Sequence, residues 1–314
     1  MKKSLLTITA LISLLAVSFA QDKNPLLFPR IADTSHTTKE QAALLYSFFT
    51  AKSRHDVEKT MAFFSKNMAT YTDATLGWPL DGYQVLHGVF SQYMPQWPAT
   101  GLSYPIRIIG GNGSVIVGFT DTPELFGGEL RILGAVDFKD GKIVRWVDYW
   151  DSRSFNTELY DKIKTPKDKF PVTFMEAAVG ENASEKIKSV CTQLQNAFSS
   201  ADAQAAADLF SYDAVFEDMS LRTQLLGKAA IRNYFGKLLP KIVYGKDSKL
   251  RHITGNDLGG GFEWIASSAV PGLAGITAIE LNDKGQITRL TTVYDSRMID
   301  DKQFAEFAAI ATSN

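Results

Sequence analysis

The sequence predicts an α+β protein made of two tandem copies of one domain. Its 314 residues are about the length of two ordinary domains. Similar blocks recur in the two halves, beginning with Asp56 and Asp202, which lie 146 positions apart. Within each half, helical patterns come first and alternating strand patterns come last. That order favours an α+β fold over a parallel βαβ sheet.

The repeat consists of five colinear pairs of blocks. Their offset falls from 146 to 139 residues and returns to 144, which needs only short insertions and deletions in loops. A colinear series of this kind indicates duplication of one module. The pairs are Asp56–Phe64 with Asp202–Phe210, Ala69–Asp73 with Ala214–Asp218, Leu86–Gly88 with Leu225–Gly227, Ala135–Ile143 with Ala278–Ile287, and Tyr149–Arg153 with Val293–Arg297.

Helices are predicted at the start of each copy. The spacing of apolar residues in the second copy is that of one helix face, and a matching stripe occurs in the first. Capping-box spacing predicts the first helix to begin near Thr37 in one copy and Asn182 in the other. A second, shorter helix is predicted after a capping aspartate, and a third after a glycine. The capping aspartates are Asp56 and Asp202, and the glycines are Gly88 and Gly227.

Strands are predicted in the remainder of each copy. Alternation of apolar and polar residues predicts strands at 103–109, 114–119 and 130–137. Hairpin turns are predicted at Asp140-Gly141 and at Asp283–Gly285, each followed by a last strand, at 142–151 and 286–295. Hairpin connections make each sheet mainly antiparallel.

Composition excludes several classes of function. Lys and Arg number 33 and Asp and Glu number 34, so the net charge of −1 gives no electrostatic basis for nucleic-acid binding. Four His at scattered positions predict no metal site, and no glycine-rich loop joins a strand to a helix, so no cofactor is predicted. The single Cys191 lies on an apolar helix face and is interpreted as a buried core residue.

The first twenty residues are typical of a secretory signal peptide. Lys2 and Lys3 precede an apolar run that ends in small residues at Ala20, and the run is short for a membrane span. We expect an exported protein, periplasmic or secreted, with no membrane segment after cleavage. The predicted divisions are a signal peptide at 1–20, a poorly structured leader at 21–36, a first domain at 37–160, a solvated linker at 161–180 and a second domain at 181–314.

Three phrases of the second copy carry a family resemblance: Asp208–Asp218, Gly227–Phe235 and Asp283–Arg289. With the order of elements, they make each copy resemble the nuclear transport factor 2-like (cystatin-like) fold, and within it the SnoaL-like and ketosteroid-isomerase-like families. The resemblance covers about 38–155 and 182–298. It implies a curved sheet wrapped by helices into a cone, with an apolar pocket for a small ligand. It is specific for fold and weak for function, because such folds host both enzymes and binders.

Candidate catalytic residues follow from that resemblance and from local chemistry. Asp73 and Asp218 lie where the isomerase-like families place a general base, and burial raises the pKa of such a carboxyl toward neutrality. Asp148 stands between two tryptophans on one strand face and is a further candidate if that face looks into the cone. His87 is a candidate acid–base partner of Asp73. The candidate ligand-binding aromatic residues are Tyr71, Trp78, Tyr83, Trp146, Trp150 and Trp264.

The oxyanion donors of ketosteroid isomerases are absent from both copies. The resemblance places a tyrosine where this chain has Phe48 and Leu194, and an acid where it has Gly134 and Thr277. Steroid-isomerase chemistry in its usual form is therefore not expected. Asp151 and Asp295 are each followed by Ser-Arg, in a phrase common to both copies. Both aspartates are interpreted as structural. His36, His55 and His252 are interpreted as surface residues.

Two functions remain open at this level. One is a small-molecule enzyme that uses a buried Asp for cofactor-independent isomerase, cyclase or dehydratase-like chemistry on an apolar substrate. The other is a non-catalytic binding protein for a hydrophobic small molecule or peptide. In both, the sheets of the two copies are expected to pack together as a pseudo-dimer.

Overall fold

The computed structural model describes residues 27–267 and 270–312, so the predicted signal peptide lies outside the described residues. The first domain contains seven strands and four helices that pack on them or close the sheet. Its strands are β1 (Asp33–Thr37), β2 (Thr70–Asp73), β3 (Trp78–Asp81), β4 (Ser103–Gly110), β5 (Ser114–Asp121), β6 (Leu130–Lys139) and β7 (Lys142–Trp150). Its helices are α1 (Lys39–Ser53), α2 (Val57–Met61), α3 (Tyr83–Tyr93) and α4 (Pro123–Phe126).

A connecting segment with α5 (Thr157–Ile163) and α6 (Glu176–Val179) leads to the second domain. That domain has strands β8 (Phe210–Asp218), β9 (Thr223–Leu226), β10 (Lys249–Asn256), β11 (Gly259–Ile265), β12 (Ala274–Leu281) and β13 (Ile287–Tyr294). Its helices are α7 (Glu185–Ser199), α8 (Ala203–Asp208), α9 (Lys228–Leu238) and α10 (Asp301–Thr312).

Two separate sheets confirm the predicted α+β class with two domains. The strand orders are β1-β4-β5-β6-β7-β2-β3 and β10-β11-β12-β13-β8-β9. Most neighbours are antiparallel, and the parallel pairs are β1 with β4, β2 with β7, and β8 with β13. The expectation of a poorly structured leader is wrong for residues 33–36, because they belong to β1 and extend the first sheet at its edge.

Local signals predicted strands better than helix starts. The β6–β7 hairpin turns at Asp140 and Gly141 with φ of 52° and 71°, as its sequence predicts. Asp56 and Asp202 cap α2 and α8 as predicted. The caps of the first helices are instead Thr38 and Ser184, so the predicted Thr37 and Asn182 are wrong.

The third helix of the first domain also begins earlier than predicted. α3 follows Gly82, whose φ of 98° matches the 87° of Gly227 before α9. Gly88 instead lies inside α3. The structural counterpart of Gly227 is therefore Gly82, 145 positions earlier, and this removes the one irregular offset in the repeat.

The two sheets lie against each other through their outer faces. Apolar side chains of both form one buried cluster, which includes Ile116 and Val147 of the first sheet and Ile276 and Val293 of the second. Successive glycines 259–261 of β11 permit this close approach. A Cβ at Gly261 would lie 1.9 Å from the carbonyl oxygen of Thr277 and 2.5 Å from Ile116 Cδ1.

A buried charged network also crosses between the sheets. Arg145, fully buried, donates to Glu263 at 2.7 Å and to Asp137 at 3.2 Å. The Tyr149 hydroxyl donates to Glu263 at 2.7 Å, and His252 Nε2 lies 3.0 Å from Asp137. The interpretation of His252 as a surface residue is therefore wrong, since it is 2% exposed.

The phrase shared by the two copies forms a reciprocal clamp. Asp295 accepts from the Ser152 hydroxyl at 2.5 Å, and Asp151 accepts from the Ser296 hydroxyl at 2.6 Å. Arg297 donates to the Ser152 carbonyl at 2.6 Å, and Arg153 donates to the Ser296 carbonyl at 3.2 Å. The structural interpretation of both aspartates agrees with these contacts.

Candidate functional site

The first domain collects polar groups on the inner face of its sheet. Trp146, Asp148 and Trp150 alternate along β7 with residues that face the second domain, so they point toward α1. The parallel pairing of β2 with β7 sets Tyr71 beside Trp146 and Asp73 beside Asp148. Asp148 therefore lies on the strand face that looks into the cone, which is the condition under which the sequence made it a candidate.

Asp148 is a buried carboxyl with two neutral donors. The Trp146 indole donates to Oδ1 at 2.5 Å, and the Tyr71 hydroxyl donates to Oδ2. Burial outweighs these donors and raises the pKa of Asp148 to about 7. The same desolvation raises the pKa of Tyr71. At neutral pH, Asp148 exchanges a proton easily and Tyr71 keeps its own.

Asp73 is the more accessible of the two carboxyls. It is half-buried, and its Oδ1 accepts from the Leu76 amide at 2.8 Å. Its Oδ2 accepts from the Trp150 indole at 3.0 Å. Burial raises the pKa of Asp73 to about 6, less than for Asp148. At pH 7 Asp73 is thus mainly a carboxylate beside a partly protonated neighbour, an arrangement that separates base from acid.

Two charged residues of the site were missed at the level of sequence. Lys52 Nζ lies 3.4 Å from Asp121 Oδ1 and 4.9 Å from the centre of the Phe119 ring, inside the cone. Its positive charge lowers the pKa of Asp148 against the effect of burial. Lys52 follows Phe48 by one helical turn and so lies on the same face of α1. That spacing was the available signal.

The two positions where oxyanion donors were found missing lie beside these groups. Phe48 packs on Trp146 with ring centres 4.8 Å apart. Gly134 pairs with Asp148 across β6 and β7, and a Cβ at Gly134 would lie 3.0 Å from Asp148 Oδ1. The glycine thus leaves room for the carboxyl of the neighbouring strand, so that an acid enters the cone from β7 instead of β6.

His87 and Tyr83 stand apart from this site, whereas Trp78 pairs with Asp73 across β2 and β3. His87 does not pair with Asp73, since its Nε2 lies 2.7 Å from Glu58 on the surface. That prediction is wrong because α3 turns His87 outward toward α2. Tyr83, at the start of α3, stacks on His87 with ring centres 6.2 Å apart. Trp78 donates its indole N–H to the Ile163 carbonyl at 2.9 Å and holds α5.

The second domain holds one carboxyl in a closed aromatic interior. Asp218 is fully buried and accepts from the hydroxyls of Tyr244 at 3.2 Å and Tyr294 at 3.4 Å. Burial raises its pKa to about 7. Thr292 takes the place of Asp148 beside it. Trp264 is also fully buried, and its indole nitrogen has no hydrogen-bond partner among the described residues.

Within 27–267 and 270–312, no group of three or more His, Cys, Asp or Glu side chains could hold a metal ion. In the same ranges, no helix is long and apolar enough to span a bilayer. Cys191 is buried, as expected for a core residue.

The fold is that of a tandem α+β protein with two neighbouring carboxyls inside its first domain, and solved structures of similar fold are known. The chain is 20% identical to an NTF-2 like protein of unknown function from Burkholderia xenovorans (35% of this chain and 84% of that chain covered, TM-score 0.31). It is 14% identical to a steroid delta-isomerase from Pseudomonas aeruginosa (43% and 96%, TM-score 0.35). It is 9% identical to a SnoaL-like protein of unknown function from Burkholderia thailandensis (35% and 93%, TM-score 0.31).

The solved structures that resemble this chain thus include nuclear transport factor 2-like proteins, as predicted. The similarity concerns the fold alone. No protein-family model matches the sequence. No curated protein matches it either.

Proposed function

We propose that this chain is an exported small-molecule enzyme of the SnoaL-like type. Its first domain would perform isomerase-, cyclase- or dehydratase-like proton chemistry on an apolar, carbonyl-bearing substrate without a cofactor. The observation that carries the proposal is the side-by-side placement of Asp73 and Asp148, which differ in exposure and share an interior with Tyr71. The apolar run after Lys2 and Lys3 supports export.

Asp73 is the base in this proposal. As a carboxylate, it takes a proton from the carbon next to the substrate carbonyl, and the bonding electrons move onto the carbonyl oxygen. Asp73 then returns the proton to another carbon of the same molecule, so no external acid or oxidant is consumed. A pKa of about 6 suits both steps near neutral pH, because the group is ionised yet still basic enough to accept a proton.

Tyr71 supplies the hydrogen bond that stabilises the developing negative charge. Tyr71 and Asp73 are two residues apart on β2, so their side chains share a face about 7 Å apart at Cα. When Asp148 is protonated, it can donate to the Tyr71 oxygen and free the phenolic hydrogen for the substrate oxygen. Asp148 is then a positioning residue that acts through Tyr71, since it is too buried to reach the substrate directly.

The second domain is proposed as a structural partner in a pseudo-dimer. The aromatic residues around Asp218 fill its cone, and no second carboxyl faces that aspartate where the first domain has Asp148. The alternative, a binding protein without catalysis, predicts ligand retention in the first cone with no proton transfer. The two are separable by experiment.

The test is deuterium exchange at the α-carbon of a panel of small cyclic and aryl ketones in D₂O, followed by NMR. We expect exchange that saturates with ketone concentration, falls by about 10²-fold or more in Asp73→Asn and falls by about tenfold or more in Tyr71→Phe. The repeat offers a matched control, Asp218→Asn, which should exchange at the wild-type rate. Equal rates in Asp73→Asn and wild type would refute the enzyme, and saturable ketone binding without exchange would support the binding protein.

A further inference from the structure

The duplicated domains form two related creases where the outer faces of the sheets diverge. The repeat makes Arg289 the counterpart of Arg145, Val293 of Tyr149 and Asp151 of Asp295. It likewise makes Arg222 of the β8–β9 turn the counterpart of Gly77 in the β2–β3 turn. One crease is bounded by Gly77 and Tyr149, and the other by Arg222 and Val293. From the symmetry of the repeat alone, the two creases are expected to have similar shapes.

The connecting segment fills the first crease. A Cβ on Gly77 would lie 2.4 Å from the Phe170 ring, so the ring sits directly on that glycine. Phe174 is 1% exposed, its ring lies 6.3 Å from that of Tyr149, and its carbonyl accepts from Arg145 Nε at 2.7 Å. The expectation of a solvated linker is wrong at Phe174, which is buried between the sheets, whereas Lys162, Lys167 and Lys169 of the same segment are exposed.

The same segment also provides a cation to this crease. Lys164 Nζ donates to Asp295 at 2.8 Å, and the next residue, Thr165, donates its amide to the Leu76 carbonyl at 2.9 Å. The segment thus offers a lysine, a carbonyl and two aromatic rings in the order Lys164, Phe170 and Phe174, with a 3-10 turn at Lys167–Lys169 between the lysine and the first ring.

The second crease is an open cavity of about 1010 Å³. Counterpart residues line it, namely Arg289, Asp151, Arg222, Met219 and Val293. Aliphatic residues that include Ile116 and Leu133 form its floor. The volume lies at the upper end of the roughly 300–1,000 Å³ typical of small-ligand pockets. It is large enough for a segment of chain.

Arg289 and Asp151 make fewer polar contacts in the open crease than their counterparts Arg145 and Asp295 make in the filled one. Arg145 donates to a peptide carbonyl, whereas the contact of Arg289 among described residues is with Glu217 at 3.5 Å. Asp295 has a lysine, whereas Asp151 has no ion-pair partner within the described part of the chain. Arg222 likewise has no hydrogen bond or ion pair with any described side chain.

We propose that the open crease binds a peptide segment of a partner protein that carries a lysine followed by two aromatic residues, as the connecting segment does. A carbonyl of that segment would accept from Arg289, its lysine would pair with Asp151, and its rings would cover the aliphatic floor. This surface is independent of the cone of the first domain, so it goes beyond the proposed enzyme activity.

The test uses the chain's own connecting segment as the probe. A fluorescently labelled peptide with the sequence of residues 164–176 is titrated with the mature chain, and its anisotropy is measured. We expect saturable one-to-one binding that Arg289→Ala weakens by about tenfold or more, since a hydrogen bond to a charged group is lost. Arg232→Ala, on the exposed face of α9, is the matched control and should bind as wild type does.

Three results would overturn the proposal. The first is no saturable binding, and the second is equal binding of a peptide in which Phe170 and Phe174 are both replaced by serine. The third is retention of an apolar small molecule in native mass spectra that is lost in Arg289→Ala, because that would assign the crease to a small ligand.

Discussion

Replacing Trp150 by phenylalanine isolates one hydrogen bond of the candidate site. The Trp150 indole donates to Asp73 Oδ2 at 3.0 Å and helps to keep that carboxyl ionised. Phenylalanine keeps an aromatic ring against Phe155 but has no donor. A hydrogen bond to a charged group is worth about 1.5–3 kcal/mol. At about 1.4 kcal/mol per pKa unit, the pKa of Asp73 should rise from about 6 to between about 7 and 8.

The assay is a carbon-13 NMR titration of the aspartate carboxyls. In the matched variant Tyr294→Phe, Asp218 loses a longer contact of 3.4 Å and keeps Tyr244, so the pKa of Asp218 should rise by less than one unit or so. If proton abstraction by Asp73 is correct, the pH midpoint of ketone exchange in Trp150→Phe should move up with the titration. An unchanged or lower pKa of Asp73 in Trp150→Phe would refute the account of how this site is tuned.

Three further predictions concern stability. Gly261→Ala should lower the free energy of unfolding, measured in urea, by about 3 kcal/mol or more, because its Cβ would overlap the Thr277 carbonyl. The control Gly88→Ala, in open space on α3, should raise the free energy of unfolding by about 0.5–1 kcal/mol. Equal effects of the two variants would contradict the role given to the glycines of β11. Asp218→Asn should be more stable than wild type above pH 7, because burial raises the pKa of Asp218 from 3.8 to about 7 and makes its charged form costly in the folded state. In thermal melts, this advantage should vanish below about pH 4, where the carboxyl is protonated in both states. A difference that does not depend on pH would exclude this cause. Contact with Asp137 raises the pKa of His252, so the contribution of His252 to stability is complete below pH 6.5 and is lost as the pH rises through the pKa of the folded state. The stability of His252→Gln should therefore fall furthest below that of wild type at pH values under 6.5. A larger loss of stability at high pH would contradict this sign.

The strands and the duplication could be predicted because their signals are local. Alternation along 142–151 placed β7 correctly, and it also separated the Asp148 face from the Arg145 face. Which of those faces lies inside depends on the packing of α1 and of the second sheet, and period-two alternation carries no such information. The position of Asp148 could thus be stated only as a condition.

The remaining errors arise from contacts between segments far apart in the chain. His252 and Asp137 are 115 residues apart in sequence, and their pairing exists only because the two sheets meet. The connecting segment was judged by its lysines and prolines, which suit solvent, while its two phenylalanines are held by the opposite surfaces of two domains. Lys52 lies within reach of Asp121 because α1 crosses the sheet, although the two are 69 residues apart. In each case, tertiary packing outweighs local composition.

Differences between the copies indicate how a duplication can divide two tasks. Asp73 and Asp218 occupy matching positions, and each accepts a hydrogen bond from the matching aromatic residue of the last strand, Trp150 or Tyr294. What differs is the neighbour: an acid in one copy and Thr292 in the other, where it bonds to Thr277 at 3.1 Å. An isolated buried carboxyl can simply remain protonated and be enclosed by tyrosines, so the second cone closes. A pair of carboxyls cannot both ionise cheaply, and their unequal exposure keeps one of them charged. Tyr71 and Asp73 therefore retain contact with solvent in the first cone, whereas Asp218 has none.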